Sequence, residues 1–213
     1  MLILNKYPEL YAFGALLQGV SESDVSEFIR SIEDDVRKKY TLEYLPNEPV
    51  IRAYRDFFWS IGIDPTKERP SSEALIRRIL RGKPLPRINP VVDIMNAISA
   101  LTGIVMSVFD ADKIELPVIL RPATGVEKLR IIGGKEIVIP EGFPILEGKN
   151  GKVFSATVYR DGEETKVTNQ TQRVLLVVYL PKALDKALGL RAMRIVVDAI
   201  REKTDARVVE IQR

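Results

Sequence analysis

The sequence predicts an α+β fold: helices in the first half, and a mixed, mainly antiparallel sheet packed with them in the second. Three observations carry this. Apolar residues recur at helical spacing up to about Thr102, and from Ile104 the pattern changes to a period of two. Arg173 to Leu180 is an apolar run that reads as a strand buried on both faces, leading into helical sequence from Lys182 to Lys203.

Taken in order, Tyr11 to Val20 reads as a buried strand. Ser21 or Ser23 can cap a helix from about Glu22 to Tyr40, whose Val25, Phe28, Ile29, Ile32 and Val36 keep one face apolar. A second helix is expected from Glu48 to Ile61, with Asn47 as cap, Pro49 in the first turn and Gly62 just beyond. Pro65 and Pro70 punctuate a loop, Ser71 can cap Ser72 to Arg81, and Asn89-Pro90 opens a helix that ends at Gly103. Period-two strands follow at Ile104–Phe109, Pro117–Arg121, Leu129–Ile132, Glu136–Ile139, Phe143–Leu146 and Lys152–Tyr159, with Gly133-Gly134 suited to a hairpin turn. Gly189 is a candidate break in the last helix, and Ala206 to Ile211 is a final strand.

The 213 residues suit one domain, 1–213, long enough to bury a substantial core. With 46% hydrophobic and 29% charged residues the composition is that of a soluble globular protein, and no apolar run approaches the ~18 residues of a membrane span. The first residues, Met1-Leu2-Ile3-Leu4-Asn5-Lys6, lack the layout of a signal peptide, so a cytoplasmic location is the expectation. There is no cysteine, hence no disulfide and no thiolate nucleophile. The absence of histidine restricts the chemistry further, leaving carboxylates, hydroxyls, amines, backbone groups or the substrate itself to move protons. No cofactor is implied. Asp110-x-Asp112 with Glu115 lacks the glycine and terminal glutamate of a calcium loop, so no metal is expected. A net charge of +3 does not by itself point to nucleic acid.

Three segments stand out by their order and spacing: Val91-Val92-Asp93-Ile94-Met95-Asn96, Ser107-Val108-Phe109-Asp110-Ala111-Asp112-Lys113-Ile114, and Gly162 to Thr171 with its Thr168-Asn169-Gln170-Thr171 turn. Together they resemble the B3/B4 domain of the β subunit of bacterial phenylalanyl-tRNA synthetase, where that domain forms the proofreading site that hydrolyses mischarged tRNA. The resemblance runs from about Tyr54 to Leu180. It implies a B3/B4-like fold, a freestanding relative of that domain, and the 3′ acceptor end of tRNA as partner. This chain departs from the pattern at four places. Met95 stands where a threonine precedes the asparagine, Ser107 replaces a histidine, and Thr157-Val158 replaces a small Ala-Gly pair. Val177 falls where a glutamate recognises the tyrosine hydroxyl, and Asn96 is the position kept.

From the residues themselves, the helix carrying Asp93 and Asn96 leads into the strand carrying Ser107, so one cleft could gather them. Asn96 offers both donor and acceptor to an ester or ribose, and the backbone at Val158 or Val177 could present amides to an oxyanion. The plainer reading makes Asp93 and Asn96 satisfied structural polars, Asp110 a holder of backbone amides, and Thr168 to Thr171 a cap with a single helical turn. A cleft lined by Met95, Asn96, Ser107, Thr157, Val158 and Val177 is narrower and more apolar than the synthetase version. Apolar pockets discriminate by only ~10–200, against ~10⁴–10⁵ for one that hydrogen-bonds a substrate hydroxyl, so a substrate other than tyrosine is implied. Glu163 and Glu164 are adjacent and do not form an acid/base pair on a strand.

Arg77, Arg78 and Arg81 lie on one helix with Lys83 and Arg87 beyond it, a cluster able to hold phosphates and equally readable as a solvated helix face. Phe57 and Phe58 read as core, whereas Tyr54 and Trp59 fit either packing or base stacking. Three functions remain open at this point. One is an aminoacyl-tRNA editing hydrolase in which Asn96 and Ser107 position ester and water; the others are a tRNA- or RNA-binding module without chemistry and a small-molecule or amino-acid sensor.

Overall fold

In the computed structural model, which describes residues 1–21 and 23–212, the apolar run near the C-terminal end is the central wall of the molecule. The elements are β1 (Ile3–Asn5), β2 (Leu10–Gln18), α1 (Ser26–Lys39), α2 (Pro49–Ser60), α3 (Ser71–Leu80), α4 (Pro90–Thr102), β3 (Met106–Asp110), β4 (Val118–Pro122), β5 (Lys128–Arg130), β6 (Glu136–Val138), β7 (Pro144–Glu147), β8 (Val153–Ala156), β9 (Arg160–Asp161), β10 (Arg173–Pro181), α5 (Lys186–Lys203) and β11 (Arg207–Gln212). A four-stranded sheet runs β11-β2-β10-β3, a five-stranded sheet runs β1-β4-β7-β8-β9, and β5-β6 form a hairpin. All pairings are antiparallel except β1 with β4.

β10 pairs with β2 on one side and β3 on the other. Its side chains alternate between two cores. Val174, Leu176, Val178 and Leu180 enter a core with α1, α3, α4 and α5, while Leu175, Val177 and Tyr179 enter a second core with α2 and the five-stranded sheet. Burial on both faces removes the polar alternation a one-sided strand would show, which is why the segment reads as a continuous apolar run. β3 ends its sheet and has one strand neighbour. The site lies along its open edge.

Several local expectations are corrected. Ser21 and Ser23 do not cap α1; the Ser26 N–H donates to Asp24 Oδ1 at 2.9 Å, and Glu22, the expected start, lies outside the described residues. Glu48, not Asn47, caps α2, its Oε2 accepting from Val50 N at 2.9 Å and Ile51 N at 3.0 Å, because a longer carboxylate also reaches the positive helix end. Ser71 is the first residue of α3 rather than its cap. The strand expected to reach Tyr159 stops at Ala156, where the chain turns. The Thr168–Thr171 segment is a hydrogen-bonded turn and not a helical one. β1 went unanticipated.

α5 starts at Lys186, capped by Asp185, and passes Gly189 without a break. A Cβ at Gly189 would lie 2.2 Å from Phe13 Cε2, so the glycine is there for close approach of helix to sheet. α4 matches expectation at both ends: Asn89 Oδ1 accepts from Val92 N at 3.0 Å, and Gly103 closes the helix at φ 76°. Among the described residues no helix is long and apolar enough to cross a membrane.

Candidate functional site

A cleft of about 300 Å³ opens along the free edge of β3, between α4 and the turn that joins β8 to β9. α4 contributes Val92, Met95, Asn96 and Ser99, one face of the helix at spacings of three, one and three. Met106, Ser107 and Val108 form the back, and Val158, Tyr159, Arg160 and Asp161 face them from the second sheet. Leu75 and Ile88 close the rim on the α3 side. Four of the six residues expected to line a substrate cleft, Met95, Asn96, Ser107 and Val158, are thus brought together. Thr157 and Val177 are fully buried behind the wall, and the backbone of Val177 is held in a strand paired on both sides, so it has no amide to offer a ligand.

The two polar residues of α4 separate by their partners. Asp93 Oδ1 accepts the Ile88 N–H at 2.8 Å, fixing the loop that enters α4. Burial raises its pKa against the opposing pull of that N–H and of Arg87. Asn96, by contrast, is half-exposed to the cleft, and its side-chain amide makes no hydrogen bond among the described residues. Its donors and acceptor remain for a ligand. Ser99 is occupied, donating to Ile104 O at 2.7 Å.

Behind Ser107 lies a polar cluster between the two sheets. Ser155 Oγ donates to Asp161 Oδ1 at 2.8 Å. The fully buried Tyr179 hydroxyl has Ser107, Thr157, Ser155 and Asp161 as polar neighbours, yet neither it nor the Thr157 hydroxyl has a well-formed hydrogen bond among the described residues. Burial raises the Asp161 pKa from its ordinary value, with the Ser155 and Ser107 hydroxyls acting in the opposite direction. The Tyr179 phenol is pushed well up, first by burial and then by the Asp161 charge. Sequence reasoning passed over Asp161, because Asp161-Gly162 looks like an ordinary turn pair.

Val158 adopts φ 62°, the one non-glycine in the left-handed region among the described residues. A β-branched residue there stores strain of roughly 1–3 kcal/mol. The turn reverses the chain between β8 and β9, closed by the Tyr159 N–H to Ala156 O at 3.0 Å, and so sets Asp161 opposite Ser107. Val158 is the position at which the resemblance implies a glycine, and the backbone keeps a glycine's conformation with a valine on it.

The signature residues around Asp110 serve the scaffold. Asp110 Oδ2 accepts from Thr171 Oγ1 at 2.9 Å and lies 3.3 Å from Lys113 Nζ, while Oδ1 accepts the Asp112 N–H at 3.2 Å. Thr171 Oγ1 in turn accepts the Thr168 N–H at 3.0 Å. Asp112 is paired with Arg173 at 3.1 Å.

The basic cluster divides as well. Arg77 Nε bonds the fully buried Glu73 at 2.7 Å, and Arg55 bonds the same carboxylate at 2.9 Å, so Arg77 is a structural cation. Arg78 donates to Pro84 O. Arg81, Lys83 and Arg87 are exposed, and Arg87 adjoins Ile88 at the cleft rim. Tyr54 is core, donating to Tyr179 O and accepting the Val105 N–H at 3.1 Å, whereas Trp59 is 55% exposed.

The fold is an α+β arrangement of helix-flanked sheets with a largely apolar cleft at a sheet edge. A family model described as the B3/4 domain matches residues 53–200, and the chain belongs to that family. It is 36% identical over 89 residues, 42% of this chain and 11% of the relative, to the phenylalanine–tRNA ligase β subunit of Vibrio parahaemolyticus. It is 26% identical over 150 residues, 70% of this chain and 15% of the relative, to that of Tropheryma whipplei. The chain therefore spans a small part of the curated relatives it matches. An N-terminal fragment of the phenylalanyl-tRNA synthetase β subunit from Pyrococcus horikoshii shares the fold, with a TM-score of 0.57 over 97% of this chain and 49% of that one at 14% identity.

Proposed function

We propose that this chain hydrolyses the ester of mischarged aminoacyl-tRNA, with the cleft beside β3 as the aminoacyl pocket. The observation that carries the reading is the convergence of Asn96, Ser107 and Val158 on one cleft whose Asn96 amide is unoccupied. Asn96 holds the ester or terminal ribose, Ser107 orients water, and the apolar walls from Met95 and Val158 take an amino-acid side chain smaller than or different from tyrosine. Arg81, Lys83 and Arg87 hold acceptor-end phosphates beside the rim. The relatives' names, which join phenylalanine to tRNA, support tRNA as the partner. Without histidine, positioned donors and the substrate's own ribose hydroxyl are left to assist the reaction.

The test is a panel of correctly and wrongly charged tRNAs incubated with the purified protein. Amino-acid release from one mischarged species above a protein-free control is expected. A second reading, an RNA-binding module without chemistry, is favoured by Ser107 standing at the position of a histidine. No release from any species with salt-sensitive binding to the same tRNAs would establish it, and no RNA binding at all would leave a small-molecule sensor.

A further inference from the structure

We infer that Asp161 is the general base of the cleft, taking the proton from the water that attacks the aminoacyl ester. The inference rests on the deacylase reading above and adds to it the group that moves the proton.

The chain contains neither histidine nor cysteine. Asp161 is the one carboxylate among the described residues that line the cleft. It faces the same space as Asn96 and Ser107, and the 2.8 Å hydrogen bond from Ser155 fixes one oxygen. No cation pairs with it among the described residues, although two line the same cleft: Arg160 is held by Glu68 at 2.6 Å and Lys166 by Glu163. Tyr179, from the central strand, is the remaining titratable neighbour and stays a neutral phenol. An aspartate in this position is costly to the fold, since it is half-buried at the seam of two sheets without a counter-charge. Burial also raises its proton affinity above that of a free aspartate, which makes it the stronger base.

In the step proposed, the water oxygen bonds to the ester carbonyl carbon while one of its O–H bonds breaks and the proton passes to Asp161. Collapse of the tetrahedral intermediate then breaks the bond to the ribose oxygen. Asp161 returns the proton to that leaving oxygen, giving a free amino acid and a tRNA with its terminal hydroxyl restored.

The experiment is single-turnover deacylation of the species the wild type hydrolyses, over a pH series that starts near the ordinary aspartate pKa, beside binding of the same aminoacyl-tRNA. Asp161→Asn, nearly isosteric and able to keep the Ser155 contact, should lower the rate ~10²–10⁴-fold without loss of binding. The wild-type rate should climb with pH as Asp161 ionises and then level off, and the variant should lose that dependence. Wild-type turnover with an equally active Asp161→Asn, or with an unchanged pH profile, overturns the inference alone. A wild type inert on the whole panel overturns the deacylase reading and the inference together. If Asp161→Asn does not fold, Asp161→Glu carries the test: it should keep a pH-dependent rate with a displaced midpoint, and an undisplaced one overturns the assignment.

Discussion

Asp110 and Asp161 are two aspartates at the seam around β3, and their surroundings differ in a way that separates scaffold from site. Asp110 collects a backbone N–H, a threonine hydroxyl and a lysine. Asp161 has the Ser155 hydroxyl as its one well-formed partner among the described residues, and opens onto a cleft. Asp110 is buried and Asp161 half-buried, and the number of partners separates them further. A carboxylate with several partners locks two segments together, whereas a half-buried one with a single hydroxyl partner and no counter-charge is kept at a cost to stability.

The largest effect should come from breaking the satisfied one. Asp110→Ala strands the Thr171 hydroxyl and the Asp112 amide and should cost about 3 kcal/mol in urea unfolding. A loss below about 1 kcal/mol would mean that the contacts are incidental. Asp161→Asn should move the unfolding midpoint the other way at pH 7. Because burial raises the folded-state pKa, the folded chain still holds the proton where the unfolded chain has released it. The stability associated with Asp161 is therefore complete below the ordinary aspartate pKa and declines as pH rises through the raised value. The gain from Asn should accordingly shrink toward pH 4, and a gain independent of pH would remove the contrast between the two aspartates.

Val158 bears on the same contrast, because its turn aims Asp161. Val158→Gly loses ~1.5–3 kcal/mol of side-chain burial but recovers ~1–2 kcal/mol of left-handed strain, while Val158→Ala loses burial and keeps the strain. Glycine should be the more stable of the two by about 1 kcal/mol in thermal or chemical unfolding, the reverse of the usual order in regular structure. The smallest stability effect belongs to the cations outside the ion-pair network. Replacing Arg81, Lys83 and Arg87 together with alanine should change stability by less than about 0.5 kcal/mol. It should reduce the salt dependence of tRNA binding by a slope of about 1 for each phosphate no longer held. Arg77→Ala, which removes one of the two cations paired with the buried Glu73, should instead act mainly on stability.

Much of this was legible in the residues. Asn89-Pro90 and Gly103 bracket α4 because capping and left-handed closure are local chemistry, and the change of period at Ile104 marks where helices give way to strands. Asn96 and Ser107 were readable as neighbours in one cleft because their helix leads directly into their strand, whereas Val158 joined them only through the family resemblance and Asp93 turned instead to the loop before α4. What escaped depends on distance. Gly189 is harmless to α5 because Phe13, far away in sequence, fills the space a side chain would take. Val177 falls behind the cleft because a second sheet covers that face of β10, and Thr157 because it is fully buried at the start of the turn after β8. Asp161 gave no local cue, since its meaning comes from a strained turn and from Ser107, more than fifty residues earlier.

The alternating allegiance of β10 bears on how the molecule comes apart. Since neighbouring residues of one strand seal opposite cores, neither the helical layer nor the second sheet can detach without exposing side chains that the other core leaves unsupported. Amide hydrogens of Val174 to Leu180 should therefore exchange with solvent only through global opening, all with the same free energy, while those of the two-residue β9 exchange by local fraying. The edge of the second sheet beside the cleft should open first, and the wall behind it last.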